Sequence, residues 1–271
     1  MPQHPVLTSP IIPPNPMNKP LLFAFAGLLL TQAANAQEFR TKLTGKDPKV
    51  VIDMQGSEVM VEGIDGNELL IKGDGFEEPP KRAEGLRAIY NSAVDNTRIG
   101  LAVTQQDNVV RISRASRKPA SYVIRVPRNA AVQYKQAGWN GGGDLVMRDL
   151  SGDIEVSMTS GDISLKNVAG PVVANTVSGD IQVRFAPMRQ GPSSLSTVSG
   201  DVDVSMLPNT KATLKLRSIS GEIYTDFDMN LKGQDNLNHI GGQVVDGNIN
   251  GGGNTVSLKS VSGDIYVRKA K

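Results

Sequence analysis

The fold is decided by a stretch that occurs twice in succession, Ser151-Gly152-Asp153-Ile154-Glu155-Val156 and, nine residues later, Ser160-Gly161-Asp162-Ile163-Ser164-Leu165. The pattern returns at Ser178, Ser199, Ser220 and Ser262. The glycines in register with it are Gly143, Gly152, Gly161, Gly170, Gly179, Gly200, Gly221, Gly242 and Gly263. They are separated by four steps of nine residues and then four steps of 21, which predicts a structural repeat.

Each repeat predicts two β-strands joined by a sharp corner. After the acidic residue, apolar and polar residues alternate, as in Ile154, Glu155 and Val156, which is the period of a half-buried strand. Glycine adopts positive φ at little cost, and a neighbouring Ser or Asp can bond the local backbone, so Ser-Gly-Asp suits a corner. Ahead of the late corners, the pattern predicts these inward pairs: Leu195 and Val198, Leu216 and Ile219, and Leu258 and Val261.

One such unit cannot bury its apolar face alone, so stacking of successive units predicts a solenoid. We expect an all-β fold, a parallel β-solenoid with a right-handed wind and two-sided coils of about 18 to 21 residues, in one elongated domain. Residues 136–271 are its regular part. Residues 37–135 are predicted to form irregular N-terminal coils, two of them after Gly56 and Gly66. A non-repeat insertion at 77–97 interrupts them, with a helix-like stretch from Ala83 to Tyr90.

The first 36 residues read as a targeting segment. A second methionine, Met17, is the expected start, followed by Lys19 and ten apolar residues at 21–30. Ala34-Asn35-Ala36 then supplies a small-residue cleavage site. Ten apolar residues are about half of the roughly 20 that span a bilayer, so residues 17–36 predict a signal peptide rather than an anchor. The protein is therefore expected to be exported: periplasmic, on the cell surface or secreted.

Composition excludes several functional classes. The 29 Lys and Arg residues nearly balance 27 Asp and Glu residues, which argues against a nucleic-acid partner. The absence of cysteine excludes disulfides, thiolate catalysis, Fe–S clusters and cysteine zinc sites. His239, in an Asn- and Gly-rich stretch, reads as a surface residue, and no Gly-x-Ser-x-Gly motif is present. We predict no cofactor and no catalytic residue.

If one corner occurs per coil, acidic side chains stack there into a ladder. Its members are Asp144, Asp162, Asp180, Asp201, Glu222 and Asp264, with Gln243 at the equivalent position. Unit charges about 5 Å apart repel by roughly 1 kcal/mol in water, so hydrogen bonds, solvent or a cation must offset the repulsion. Calcium is a weak candidate, because its nonapeptide roll uses a richer Gly-Gly-x-Gly-x-Asp turn. Solvated structural corners are the simpler interpretation.

Outward-facing side chains supply the remaining candidates. Carbohydrate-active β-helix enzymes use charged residues on one exposed sheet face, and the outward residues here are Glu155, Lys166, Arg184, Asp203, Arg268 and the aligned Tyr224 and Tyr266. Such charges also serve solubility. Trp139 is predicted to be a packed cap or a ligand platform. The 77–97 insertion is predicted to be a partner-specific surface or a loop that covers the solenoid.

These repeats, the strand Tyr122-Val123-Ile124-Arg125-Val126-Pro127 and the segment Asn250-Gly251-Gly252-Gly253 resemble the putative-adhesin family of bacterial β-strand-repeat proteins. The resemblance covers roughly residues 100–271 and implies an exported β-solenoid, with no catalytic residues to transfer. We expect a non-enzymatic, adhesin-like or envelope-associated protein that binds an unknown protein or glycan. A periplasmic structural or signalling component is the main alternative, and a carbohydrate-active enzyme is a third.

Overall fold

The computed structural model describes residues 37–45, 47–75, 80–87, 89–90, 93–118, 120–136, 143–231 and 242–271. These residues form strands almost throughout, and none forms a helix that is long and apolar enough to cross a membrane. The predicted targeting segment, Trp139 and His239 lie outside the described residues.

The strands fall into three groups along the chain. The first group is β1 (Gln37–Lys42), β2 (Lys49–Met54), β3 (Val59–Ile64), β4 (Glu68–Asp74), β5 (Ile89–Tyr90), β6 (Ala93–Val94), β7 (Leu101–Gln106), β8 (Val109–Arg114) and β9 (Ser121–Pro127). The second is β10 (Ala131–Gln136), β11 (Leu145–Arg148), β12 (Ile154–Ser157), β13 (Ile163–Val168), β14 (Val172–Ser178), β15 (Ile181–Phe185), β16 (Ser193–Ser199) and β17 (Val202–Met206). The third is β18 (Ala212–Ser218), β19 (Ile223–Thr225), β20 (Asn230–Leu231), β21 (Gln243–Ile249), β22 (Asn254–Ser262) and β23 (Ile265–Lys269).

Two large sheets contain all these strands except β5 and β6, which pair as a small hairpin. Sheet 1 has the order β1-β4-β9-β3-β11-β13-β15-β17-β23-β19. Sheet 2 has the order β20-β21-β18-β22-β16-β14-β12-β10-β2-β8-β7. The strands from β9 to β19 in sheet 1, and those from β18 to β8 in sheet 2, run parallel to their neighbours. The prediction of an all-β, parallel, solenoid-like fold is thus confirmed.

One coil consists of a strand of sheet 2 and the strand of sheet 1 that follows it in sequence. Inward side chains of the two sheets meet in a continuous apolar core. The alternating pairs predicted from the repeats are buried: Ile154 and Val156, Ile163 and Leu165, Ile181 and Val183, Val202 and Val204, and Ile265 and Val267. Leu195, Leu216 and Leu258 are also buried, as predicted.

The coils do not stack in sequence order at either end. The last coil, β22 and β23, lies between β16–β17 and β18–β19. Likewise the first coil, β2 and β3, lies between β8–β9 and β10–β11. The expectation of successive stacking is therefore wrong for the terminal coils. Physically, the repeats share one apolar pattern and one corner, so a coil fits against any other.

The turn at Asn250–Gly253 allows this insertion. Antiparallel β21 and parallel β22 flank β18 on opposite sides, so the turn joining them crosses the start of β18. The Asn250 side-chain amide donates to the carbonyls of Pro208 and Thr210, at 2.9 and 2.7 Å, which ties the turn to the β17–β18 connection. A Cβ on Gly253 would collide with the Lys211 carbonyl, so only glycine fits at this crossing.

Two further expectations about the N-terminal section are wrong. Gly66 leads into β4, which runs antiparallel to β9 and is not a coil. The stretch from Ala83 to Tyr90 contains no α-helix among its described residues. It contains the end of a single 3₁₀ turn, Lys81–Ala83, and the strand Ile89–Tyr90. Gly85 has φ near 78°, a conformation that a helix does not accept.

Candidate functional site

The acidic ladder lies at the corner where the chain passes from sheet 2 to sheet 1. Each carboxylate except that of the last member, Glu222, accepts a hydrogen bond from the backbone N–H of the next ladder residue, over 2.7–3.0 Å. The spatial order is Asp144, Asp162, Asp180, Asp201, Asp264 and Glu222, which follows the inserted coil rather than the sequence. These amides offset the mutual repulsion of the carboxylates.

Gln243 does not continue the ladder in the predicted way. It begins β21, which is antiparallel to β18, and its side-chain amide donates to Glu222 Oε2 at 2.6 Å. Gly242 accordingly packs beside Ser218 and Ile219 instead of turning a corner. Among the described residues no three His, Asp or Glu side chains are grouped so that they could hold a metal ion. Structural corners therefore stay our prediction for the ladder, and calcium stays the alternative.

The corner glycines are required mainly by close approach between coils. A Cβ on Gly161, Gly179, Gly200, Gly263 or Gly221 would lie under 3.0 Å from the backbone of the glycine in the neighbouring coil. Gly143 meets the Ser57 backbone in the same way, while Gly152 and Gly170 form the opposite corner. Positive φ, the reason expected from sequence, applies to only some of them: Gly221 has no positive φ and still admits no side chain.

Two rows of side chains cross the outer face of sheet 1. The first row begins with the half-buried apolar residues Val123, Met60 and Val146 and continues with Ser164, Gln182, Asp203, Tyr266 and Tyr224 on successive strands. The second row contains Arg125, Glu62, Arg148, Lys166, Arg184, Ser205 and Arg268. The sequence-predicted residues Lys166, Arg184, Asp203 and Arg268 therefore do share one face, together with both tyrosines.

At one end of this face the aromatic rings pack on each other. The Tyr224 and Tyr266 rings are stacked, with centroids 5.2 Å apart and planes 10° from parallel. The Arg268 guanidinium lies 4.8 Å from the Tyr266 centroid and donates to both Asp203 carboxylate oxygens at 3.0 Å. Because Asp203 and Tyr224 flank Tyr266 on opposite strands, both faces of the Tyr266 ring are covered, and Tyr224, 50% exposed, supplies the free aromatic face of this stack.

Two hydrogen bonds shift ionisation on this face. The Tyr266 hydroxyl donates to Asp264 Oδ2 at 2.9 Å, and this bond to a carboxylate raises the pKa of Tyr266 to about 12. Buried Glu62 forms ion pairs with Arg125, at 2.8 Å, and with Arg148. The hydrogen bond from Arg125 is the main reason that the pKa of Glu62 is lowered.

The centre of the face carries a row of three cations, of which Arg148 is paired with Glu62. Arg148, Lys166 and Arg184 are exposed and directly opposite one another on β11, β13 and β15. In the described part of the chain, neither Lys166 nor Arg184 forms an ion pair with an Asp or Glu side chain. Like charges in this position repel by roughly 1 kcal/mol per pair in water. The arrangement can therefore bind an anion favourably.

Glu155 is separated from the other predicted residues. It lies on β12 of sheet 2, where Gln133 donates to it at 3.0 Å, whereas Asp203 lies on sheet 1. A glycosidase needs two carboxylates within about 10 Å on either side of one bond, and carboxylates on opposite faces of the protein cannot provide that. The geometry does not favour the paired-carboxylate enzyme.

An exposed aliphatic column was not expected from the sequence. Val198, Ile219 and Val261 were predicted to face inward, but they are 47%, 44% and 41% exposed. They continue a column that begins at Val177 and runs beside the acidic corner. The signal was present, since residues three apart in a strand point to opposite faces, so Leu195 and Val198 could not both be buried.

The described part of the 77–97 insertion is apolar and exposed at two points. Leu86 and Ile89 are each 72% exposed. Tyr90 instead packs 5.8 Å from the Arg114 guanidinium. Asp95 ends the insertion by accepting hydrogen bonds from the backbone N–H groups of Thr97, Arg98 and Gly100. The prediction of a partner-specific surface here stays a prediction.

Comparisons with known proteins identify the repeat section. Residues 142–268 match the family described as Toastrack DUF4097. No curated protein matches the chain significantly. The structure is similar to that of a putative cell adhesion protein from Clostridium sporogenes, 10% identical, covering 86% of this chain and 99% of that one, with a TM-score of 0.44.

Two further structures are similar over most of their length. A putative adhesin from Bacteroides fragilis is 14% identical, covering 86% of this chain and 96% of that one, with a TM-score of 0.33. A putative lipid binding protein from Parabacteroides distasonis is 12% identical, covering 88% and 98%, with a TM-score of 0.28. The resemblance drawn from the Ser-Gly-Asp repeats is confirmed: the match of residues 142–268 to the Toastrack DUF4097 family supports a putative-adhesin family of unknown function.

Proposed function

We propose that the protein is an exported, non-enzymatic, adhesin-like binding protein of the bacterial cell envelope, and that it binds through the outer face of sheet 1. The observation that carries this proposal is the row of exposed cations Arg148, Lys166 and Arg184 in the middle of that face. A shallow depression beside them is lined by polar groups, among them Ser164, Gln182 and Ser205. Rigid strands hold these groups at fixed spacing, which suits binding of an extended partner.

Export is proposed from residues 17–36, which have the charge, apolar run and cleavage site of a signal peptide. Two outcomes of export differ in meaning. A protein that faces outward can act as an adhesin, whereas one retained in the periplasm would be a structural or signalling component.

The right-handed wind and the coil length of 18 to 21 residues also remain our proposals from the sequence repeat.

Protease accessibility separates these two functions. The protein is probed on intact cells, in lysed cells and in the culture supernatant. Degradation on intact cells, or recovery from the supernatant, is the expected result for an outward-facing binding protein. Protection until lysis would contradict the adhesin role and indicate a periplasmic partner, which crosslinking would then identify.

A binding assay tests the face itself. The purified protein is incubated with cell-envelope preparations, and retention is compared between the wild type and Lys166→Gln/Arg184→Gln. We expect the double variant to lose most of its binding, because both cations lie at the centre of the proposed surface. Equal retention of the two proteins would exclude this face.

A further inference from the structure

Two members of the cation row on sheet 1, Lys166 and Arg184, differ from the other charged residues of that face. Arg125 and Arg268 pair with Glu62 and Asp203 respectively, and Arg148, the third member of the row, also pairs with Glu62. Lys166 and Arg184 are opposite each other, and the acidic residues near them in the register are already engaged. Asp203 is bonded to Arg268, and Asp149 accepts from the Asn167 amide at 2.6 Å.

Arg184 retains binding capacity although it has one neighbour. One of its terminal nitrogens donates to the main-chain oxygen of Lys271 at 3.1 Å. A guanidinium has five N–H donors in a planar fork, so the rest remain for a ligand. The Lys166 ammonium, with three donors, lies on the adjacent strand. Two neighbouring strands thus present a planar donor and a point charge to the same anionic group or to two adjacent ones.

The spacing of the row suits a linear polymer. Adjacent strands are about 4.8 Å apart, so Arg148, Lys166 and Arg184 place one cation every ~4.8 Å over about 10 Å, perpendicular to the strands. A polymer with one anionic group per repeating unit of about that length can engage all three. The first row runs parallel beside it and offers the Ser164 hydroxyl and the Gln182 amide, which hydrogen-bond hydroxyl groups.

Resting on the proposed function, we propose that the ligand of this face is an acidic polysaccharide, lying across β11, β13 and β15 with its anionic groups on the cation row. Its sugar hydroxyls would hydrogen-bond Ser164 and Gln182 of the first row, and its uronate, sulfate or phosphate groups would bind the cations. Single-stranded nucleic acid fits less well, because base stacking needs free aromatic faces near the cations, and the free face of Tyr224 lies on β19, three strands beyond β15. A lipid surface fits less well, because the cation row contains no aliphatic side chain and the aliphatic residue beside it on β11, Val146, is only half-exposed.

The test compares two pairs of charge changes. Lys166→Gln/Arg184→Gln removes two cations from the proposed site. The matched control, Arg217→Gln/Lys259→Gln, removes two exposed and mutually opposite cations from the outer face of sheet 2. Both pairs are surface changes, so unchanged melting temperatures serve as the folding control. The probes are polygalacturonate, heparin, neutral dextran and single-stranded DNA, titrated by calorimetry at low and physiological salt.

We expect the wild type to bind polygalacturonate or heparin and not dextran, with affinity falling as salt rises. The sheet 1 pair should lower affinity by about tenfold or more, and the sheet 2 pair by less than about twofold. Equal losses from both pairs would mean attraction by overall charge and would overturn the proposal. Tighter binding to DNA than to either polysaccharide would also overturn it.

Failure of the ligand class is distinguishable from failure of the proposed function. If the wild type binds neither acidic polysaccharide but the sheet 1 pair still abolishes retention on envelope preparations, the face binds a different partner and only the ligand class is wrong. If retention is unaffected as well, the proposed binding face is wrong.

Discussion

Disulfide trapping tests the insertion of the last coil, because the chain has no cysteine of its own. Three residues of the exposed aliphatic column, Val198, Val261 and Ile219, lie on adjacent coils in that order. Neighbouring strands are about 4.8 Å apart and next-nearest strands about 9.6 Å. A disulfide needs Cα atoms 4.4–6.8 Å apart, a distance that only neighbouring strands provide.

Cysteine pairs at these positions should therefore follow the spatial order. Val198→Cys/Val261→Cys and Ile219→Cys/Val261→Cys should oxidise to intramolecular disulfides under mild oxidant. Val198→Cys/Ile219→Cys, only 21 residues apart in sequence, should stay reduced. All three side chains are more than 40% exposed, so access of the oxidant is matched among the pairs.

Mass spectrometry of the monomer, with and without alkylation of free thiols, measures each pair. Closing the loop of about 60 residues between Val198 and Val261 should also raise stability by about 4 kcal/mol in the chain-entropy description, and by less if the bond is strained. The reverse pattern, with a bond between positions 198 and 219 and none to 261, would refute the inserted coil and restore stacking in sequence order.

Four further outcomes follow from the same structure. Leu258→Ala, at a fully buried site, should lower the free energy of unfolding in urea by about 3–5 kcal/mol. Val261→Ala, at an exposed site three residues later, should lower it by less than about 1 kcal/mol. Equal losses would contradict the assigned faces. Gly221→Ala should lower the stability of the fold by about 3 kcal/mol, because the new Cβ collides with backbone of the neighbouring coil. Gly66→Ala, in open space at positive φ, should lower it by only about 1 kcal/mol, and thermal melts of both variants measure the difference. In Tyr266→Phe, ultraviolet titration should show one tyrosine fewer that ionises near pH 12. Because the pKa of Tyr266 is raised in the folded wild type, its hydrogen bond stabilises the fold fully below about pH 10, and this stabilisation disappears as the pH rises towards 12. The melting temperature should be the same in millimolar calcium and in chelator, and a rise with calcium would revive the metal interpretation of the ladder.

Local structure was predictable because each repeat contains both the alternation of apolar and polar residues and the Ser-Gly-Asp corner. The period-two pattern places Ile163 and Leu165 inside and Lys166 outside, and the burial agrees. The hydrogen bonds of the ladder also follow from sequence in kind, since stacked carboxylates need donors and corner amides are the donors at hand. The prediction is wrong for the exposed column, because Val198 lies three residues after buried Leu195 and therefore points to the opposite face.

The stacking order was not predictable from the repeats, because they are interchangeable. The coils built from the Ser-Gly-Asp repeats offer the same glycine corner and the same apolar edge, so their pairing pattern does not distinguish one neighbour from another. The distinguishing features lie between the repeats: five residues join β17 to β18, and the Asn250–Gly253 turn crosses β18. The Arg268–Asp203 pair, 65 residues apart in sequence, exists only because of that order, so no reading of outward charges along the chain could have matched them.

The antiparallel strands at the two ends of the sheets favour a lateral face for the proposed ligand. Parallel coils end in unpaired strand edges, which attract other chains. Here the outermost coils are extended by antiparallel strands, β7 and β4 with β1 at one end and β21 with β20 at the other. In the described part of the chain, sheet 1 ends at β19, a strand of only three residues. With the ends closed in this way, the regular surfaces left for an extended partner are the outer faces of the two sheets. Of these, sheet 1 combines a cation row with a parallel polar row.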